Sequence, residues 1–195
     1  MSYHNESLSP GSESRSHGFD WEHLQAEWAG RRMQFVPDSV PAGAKVRYVV
    51  VLIGDEQGRF LLAHIAERGY CAPSGHIEPG EAAEHAAIRE AYEEAGAVIR
   101  CLEAIGYYRL QPCSPAVSSS QEARTGDEGA ECIAPVFLAQ LERLEPVPHG
   151  SESRGVRWAT LKEMPQLYYQ WSPLLEAVFR YARARIEQAS DERQD

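Results

Sequence analysis

The sequence predicts an α/β fold, and three stretches carry that prediction. Lys45 to Ile53 (KVRYVVVLI) is a β-branched run with strand character, and Arg59 to Ala66 returns as a second strand after a turn at Asp55 to Gly58. The stretch from about Glu81 to Ala95 is rich in alanine, follows the turn-forming Pro79-Gly80, and stops at Gly96, where a helix commonly exits through a left-handed residue. Trp171 to about Gln188 reads as a final helix, with Leu174, Leu175, Val178 and Ala182 toward the core.

The remaining chain fills in around these. Phe19 to Phe35 carries Trp21, Leu24 and Trp28 at helical spacing and is expected to form a short amphipathic helix, an arm packed on the domain or on a partner in a homodimer. VPDSVPAG reads as a proline-punctuated linker. Val98 to Leu110 is expected to be extended, with a break near Glu103-Ala104. Gln111 to Glu131 reads as a long loop of Ser, Pro, Gly and acids, expected to order over the site when ligand binds. Cys132 to Gln140 is a further strand, and GVRWATLKEMP a short strand followed by a helical turn. The expected domain plan is a disordered leader over residues 1–18, an arm and linker over 19–44, the main domain over 45–188, and a polar tail over 189–195.

Composition bounds the function. With 195 residues, 43% hydrophobic and 25% charged, the chain is long enough for one sizeable globular domain with extensions. It contains no apolar run of about 18 residues, so no membrane span is expected. The polar N-terminus lacks the apolar core of a signal peptide, and the four cysteines show no CxxC spacing; both point to reduced thiols and a cytoplasmic location. A formal charge of −10 argues against a footprint for duplex nucleic acid. It is compatible with a nucleotide, because bound cations and a few arginines can meet a polyphosphate locally. Only Lys45 and Lys162 are lysines, so most cations are arginines able to grip phosphate with a bidentate fork.

The chemistry concentrates in GHIEPGEAAEHAAIREAYEEAG, from Gly75 to Gly96. At about 100° per residue, Glu93 falls roughly 60° to one side of Glu90 and Glu94 roughly 40° to the other, so three carboxylates share one arc of the helix. Left alone they repel; a hard divalent cation such as Mg²⁺ removes that cost and keeps positions open for water and phosphate. Arg89 can pair with Glu93 or reach back to Glu81, holding a ligand in place. Gly75 has no side chain to keep its carbonyl from a cation.

Gly75, Glu81, Arg89, Glu90, Glu93, Glu94 and Gly96 together match every polar and glycine position of the Nudix box, and the chain resembles a Nudix hydrolase over about Val46 to Tyr181. Ala91 and Ala97 are small for positions that usually carry larger aliphatics. Tyr70, Pro73, Ser74 and Gly75 resemble the aromatic and Pro-Gly-Gly approach to the box, with Ser for the first Gly. The resemblance implies an α/β/α sandwich around a mixed β-sheet, and metal-dependent hydrolysis of a nucleoside diphosphate linked to another group X. Mg²⁺, or Mn²⁺ in its place, would be held by Gly75, Glu90, Glu93 and Glu94 with Glu131 from outside the box, and a water would be the nucleophile.

Relatives commonly add a glutamate from outside the box. Glu131 ranks first because it begins a strand; Glu128 and Glu152 are the alternatives. Glu93, Glu94, Arg89 and Glu131 are thus the expected catalytic residues. His64 and His76 are weaker catalytic candidates, since a lone histidine more often packs or hydrogen-bonds. For the substrate, Arg109, Tyr108 and Trp158 are expected to contribute, with Tyr107, Tyr168, Tyr169 and Trp171 as further aromatics for a base. The C-terminal part also resembles oxidised-purine triphosphatases in spacing, yet Tyr168-Tyr169-Gln170 stands where those carry an acidic pair. Two other classes share the fold. A non-catalytic nucleotide-binding module typically loses box glutamates, and this chain has lost none. Isopentenyl diphosphate isomerase needs an active-centre cysteine, for which Cys71 is near the right region, but its box arrangement differs. Removal of RNA 5′ caps is disfavoured by the acidic balance.

Overall fold

Alternation with a period of two, not helical spacing, shapes the first elements of the computed structural model, which describes residues 18–113 and 130–192. β1 (Ala26–Trp28) and β2 (Arg31–Val36) form a hairpin through Ala29 and Gly30, both left-handed at φ 49° and 72°. Two successive positive φ values are the mark of the two-residue hairpin turn that matches strand twist. The amphipathic helix expected over Phe19 to Phe35 is therefore absent. Met33 and Phe35 alternate into the core, and Trp21 reaches the same core from a turn, its ring 4.8 Å from Phe35 and 5.8 Å from Tyr181. The sequence signal for a helix came from three apolar residues whose spacing a turn and a strand satisfy equally well.

β3 (Tyr48–Gly54), β4 (Arg59–Ile65), β5 (Gly69–Cys71) and β6 (Ser74–His76) lead into α1 (Ala83–Ala95). β7 (Ala97–Pro112), β8 (Cys132–Leu144) and β9 (Ser153–Thr160) follow, then the short α2 (Met164–Leu167) and α3 (Pro173–Asp191). One sheet results, in the order β1-β2-β7-β8-β3-β4-β5, with β6 also paired to β3 and β9 to β4. Only β3 and β8 run parallel among the named pairs of the described residues, so the sheet is mixed. β7 does not break near Glu103-Ala104; it stays one strand and absorbs the irregularity as register shifts on both sides of that dipeptide.

Strand alternation divides the core in two. Val49, Val51, Ile53, Leu61, Ala63 and Phe137 point to one face, where Ala86, Ala87, Ala91 and Ala95 of α1 pack on them. Leu52, Phe60, Leu62, Val136 and Leu138 point to the other, under Leu174, Val178 and Phe179 of α3. A helix on each face of a mixed sheet is the α/β/α sandwich. α1 begins two residues later than expected, at Ala83, and Glu81 lies just before it. Gly96 closes α1 at φ 62°, its N–H bonding the Tyr92 carbonyl at 2.8 Å. α3 is capped by Ser172, whose hydroxyl accepts the Leu175 N–H at 3.2 Å, with Pro173 in its first turn.

Candidate active site

β6 is three residues long, and its alternation decides what the site can do. Gly75 pairs with Val49 and so faces α1, whereas His76 pairs with Tyr48 and faces the opposite side of the sheet. At Gly75 the backbone approaches α1 so closely that an added Cβ would overlap the Glu90 carboxylate; only glycine fits.

Arg89 organises the charges along α1. Its Nε and Nη2 donate to the two oxygens of Glu81 at 2.9 Å each, its Nη1 to Glu90 at 2.8 Å and Glu93 at 3.1 Å, and its Nη2 also to the His76 carbonyl at 2.8 Å. Glu81 additionally accepts the Glu78 N–H at 2.9 Å. The Arg89 bonds, aided by that N–H, hold the Glu81 carboxyl down to about 2, and Glu81 in turn raises the Arg89 guanidinium above its usual range. Glu94 behaves in the opposite way. It accepts the Ser74 N–H at 2.8 Å and meets Arg68 Nη2 at 3.3 Å, but burial dominates and pushes its carboxyl up to about 7. Burial raises Glu90 as well. Glu93 is half exposed.

Two cavities meet here. A polar cleft of about 560 Å³ runs over the box and is lined by Glu78, Glu90, Glu93, Glu94 and Glu152 with Arg68 and Arg89. A second, more apolar cavity of about 430 Å³ lies on the α3 side, where Trp28, Met33, Tyr48, Tyr108, Tyr168 and Leu175 are among its walls. Arg68, Ser74, Gly75, His76 and Glu152 border both, so the two adjoin at β6. Tyr168 closes one side; its hydroxyl accepts the Ala72 N–H at 3.1 Å, and burial raises its pKa.

Residues 44–180 match the NUDIX domain. The chain belongs to that family. A curated relative, "Putative 8-oxo-dGTP diphosphatase YtkD" of Bacillus subtilis (strain 168), is 33% identical over 98 residues, 50% of this chain and 52% of the relative; the match thus spans about half of that protein's length. Among solved structures, a mutant of the Bacillus subtilis pyrophosphohydrolase BsRppH superposes with a TM-score of 0.58 at 24% identity, covering 86% of this chain and 97% of that one. A C. elegans Ap4A hydrolase reaches 0.51 at 21% identity over 73% and 98% of the two chains. The NUDIX domain of Shewanella oneidensis NrtR, solved with ADP ribose, reaches 0.52 at 17% identity over 73% and 89%. At these identities the solved structures speak for the fold.

Within the Nudix domain, the structure brings together Gly75, Arg89, Glu90, Glu93 and Glu94 but not every residue expected beside them. Glu131 borders neither cavity: Gln111 Nε2 donates to it at 2.7 Å and Arg109 Nε lies 3.6 Å away, an ion pair too long for a hydrogen bond. Arg109 shares that location away from the cleft. Trp158 also borders neither cavity; it pairs with Leu61 on the α1 face, with the Arg59 guanidinium 5.4 Å from its ring centre. Tyr108 does line the apolar cavity, although it is 3% exposed. Glu152, ranked below Glu131 on sequence, borders both cavities. Glu128 and most of the 111–131 loop lie outside the described residues, as does nearly all of the 1–18 leader. His64 stacks on Tyr70 at 4.6 Å and borders neither cavity. Cys71 is buried at the wall of the apolar cavity, and that burial pushes its thiol up to about 12. Arg68 was missed. Its sequence signal was a cation at a predicted hairpin end just ahead of the box, one of many surface arginines until the fold sets it beside Glu94.

Proposed function

We propose that this chain is a divalent-metal-dependent hydrolase that cleaves the diphosphate linkage of a nucleoside diphosphate joined to a further group. The observation that carries the reading is an acidic cleft and an aromatic cavity that share their border at β6. The cleft suits cation-bound phosphates, and the cavity suits a planar base. The name of the Bacillus subtilis relative supports the same reaction class. Its oxidised-purine preference is not carried over, because Tyr168-Tyr169-Gln170 offers no carboxylate where such enzymes hold acids.

The donor set fits a hard cation. Five glutamates against two arginines line the cleft, an imbalance that would repel polyphosphate without added positive charge. Glu90 and Glu94 are both under a tenth exposed, and the side-chain-free Gly75 backbone lies against Glu90. No group of three acidic, histidine or cysteine side chains converges among the described residues: Arg89 sits between Glu90 and Glu93, and Glu94 turns to Ser74 and Arg68. Gly75, Glu90, Glu93 and Glu94 would hold the metal, Mg²⁺ or Mn²⁺. Bound there, it would supply Lewis-acid polarisation of the phosphoryl group and a lowered pKa for water.

The chain's own groups do the rest. Arg68 reaches from the hairpin between β4 and β5 into both cavities and is placed to neutralise phosphate oxygens. The Ser74 N–H orients Glu94. Arg89 ties Glu81, Glu90, Glu93 and the His76 carbonyl into one unit, holding the ligand carboxylates in place. Glu152 is the outside carboxylate, accepting the proton of the attacking water, so no covalent enzyme intermediate forms. A cytoplasmic location belongs to this reading; among the described residues, no helix is long and apolar enough to cross a membrane. The test is a phosphate-release screen over nucleoside triphosphates, ADP-ribose, nucleotide sugars and dinucleoside polyphosphates with Mg²⁺ or Mn²⁺. Turnover of at least one, abolished by EDTA, is expected. No release from any of them overturns the reading and leaves a binding module.

A further inference from the structure

We infer that the β1–β2 hairpin, which precedes the family match at residue 44, is part of the ligand site, and that its Trp28 determines specificity by stacking a purine base. Alternation in β1 turns Ala26 and Trp28 inward, and Met33, opposite Ala26, points to the same side. All three border the aromatic cavity.

The Trp28 ring lies 5.1 Å from Tyr48, nearly perpendicular at 83°, and Tyr48 lies 4.5 Å from His76 at 54°. Three rings therefore run in series from the hairpin to the residue that follows Gly75. That series links the box to the cavity along one wall. The wall is also held in place. β2 pairs along its whole length with β7, Arg31 Nη1 donates to the Ala130 carbonyl at 2.9 Å, and the turn is pinned by two left-handed residues. A preordered aromatic surface costs little entropy on binding.

The comparison with Trp21 separates packing from recognition. Trp21 is 8% exposed and wedged among Phe19, Phe35 and Tyr181. Trp28 is only partly buried, and it borders open volume. A cavity of about 430 Å³ has room for a two-ring base, and stacking is sequence-tolerant but stronger for the larger π-face.

The inference rests on the nucleotide reading above, and it is tested apart from it. Calorimetric titration of AMP, GMP, CMP and UMP in Mg²⁺ measures binding without turnover. The wild type should prefer the two purines. Trp28→Leu, which keeps apolar bulk and loses the ring, should weaken purine binding by about 10- to 100-fold and level the preference. Trp28→Phe should restore most of it. Where turnover is found, Trp28→Leu should raise KM and leave kcat. Monophosphate binding that depends on Trp28 supports the hairpin's role even if the phosphate-release screen is blank. A folded Trp28→Leu protein with wild-type affinities and wild-type base preference overturns the inference, even if hydrolysis is robust. A wild type that binds none of the four overturns it as well.

Discussion

The two sides of β6 are built by different rules. On the α1 side, Gly75, Glu81, Arg89, Glu90, Glu93 and Glu94 fall within one twenty-residue stretch; helical spacing lines up Arg89, Glu90, Glu93 and Glu94, and β6 and the turn after it bring Gly75 and Glu81 alongside. On the α3 side, the cavity walls come from β1, β2, β3, β7, β8, the Tyr168–Gln170 segment and α3. Charge is arranged locally; shape is arranged by the whole sheet. Substitutions on the first side should therefore strike chemistry with the fold intact, and those on the second should strike affinity or stability.

The largest effect is expected at Glu94. Glu94→Gln keeps the size and the bond from the Ser74 N–H, but removes a charge proposed to hold the metal. Steady-state turnover should fall by on the order of 10²-fold or more, at an unchanged or higher melting temperature, since a buried carboxylate is relieved. Next come the two outside carboxylates. Glu152→Gln should cost roughly 10- to 100-fold in kcat. Glu131→Gln, in a residue engaged with Gln111 and Arg109, should leave kcat as it is. The reverse result would move the outside carboxylate to Glu131 and break the assignment of roles across the two faces.

Tyr168→Phe probes the other side. It strips the Ala72 N–H of its acceptor, at about 1–3 kcal/mol, so calorimetry should show a melting temperature lower by roughly 2–10 °C. The smallest effect is acid sensitivity. Glu81 titrates from the usual carboxylate value down to about 2 in the fold, so its stabilising bond to Arg89 is fully present above pH 4.5 and is lost as pH falls toward 2. Melting temperatures of Glu81→Gln followed from pH 6 to pH 2 should decline less steeply than those of the wild type.

The same division explains what the sequence revealed. The box, its αL exit at Gly96 and the strands from Tyr48 to Ile65 are local patterns, and reading them required no partner. The cavity was not legible. Trp28 and Trp21 fit a helical repeat as well as a hairpin, because Ala29-Gly30 is a weaker turn signal than Asn-Gly. Trp158 and Arg109 carry chemistry suited to a substrate but border neither cavity, and facing is set by register with β4, β2 and β8, which a single sequence does not display. Glu152 and Arg68 suffered similarly: each sits at a loop or hairpin end, and only the three-dimensional meeting of two connections makes them neighbours of the box.

The guanidinium of Arg89 has a consequence for how the protein is made. It already supplies Glu90 and Glu93 on its own helix, and Glu81 just ahead of it, with a positive partner. The chain therefore carries its own counter-ion through synthesis and folding. Where a domain held together by its metal stays unfolded without it, the Arg89 bonds offset the repulsion among these carboxylates in advance, so the melting temperature is expected to change little when EDTA is added, and a melting curve recorded with and without EDTA checks it.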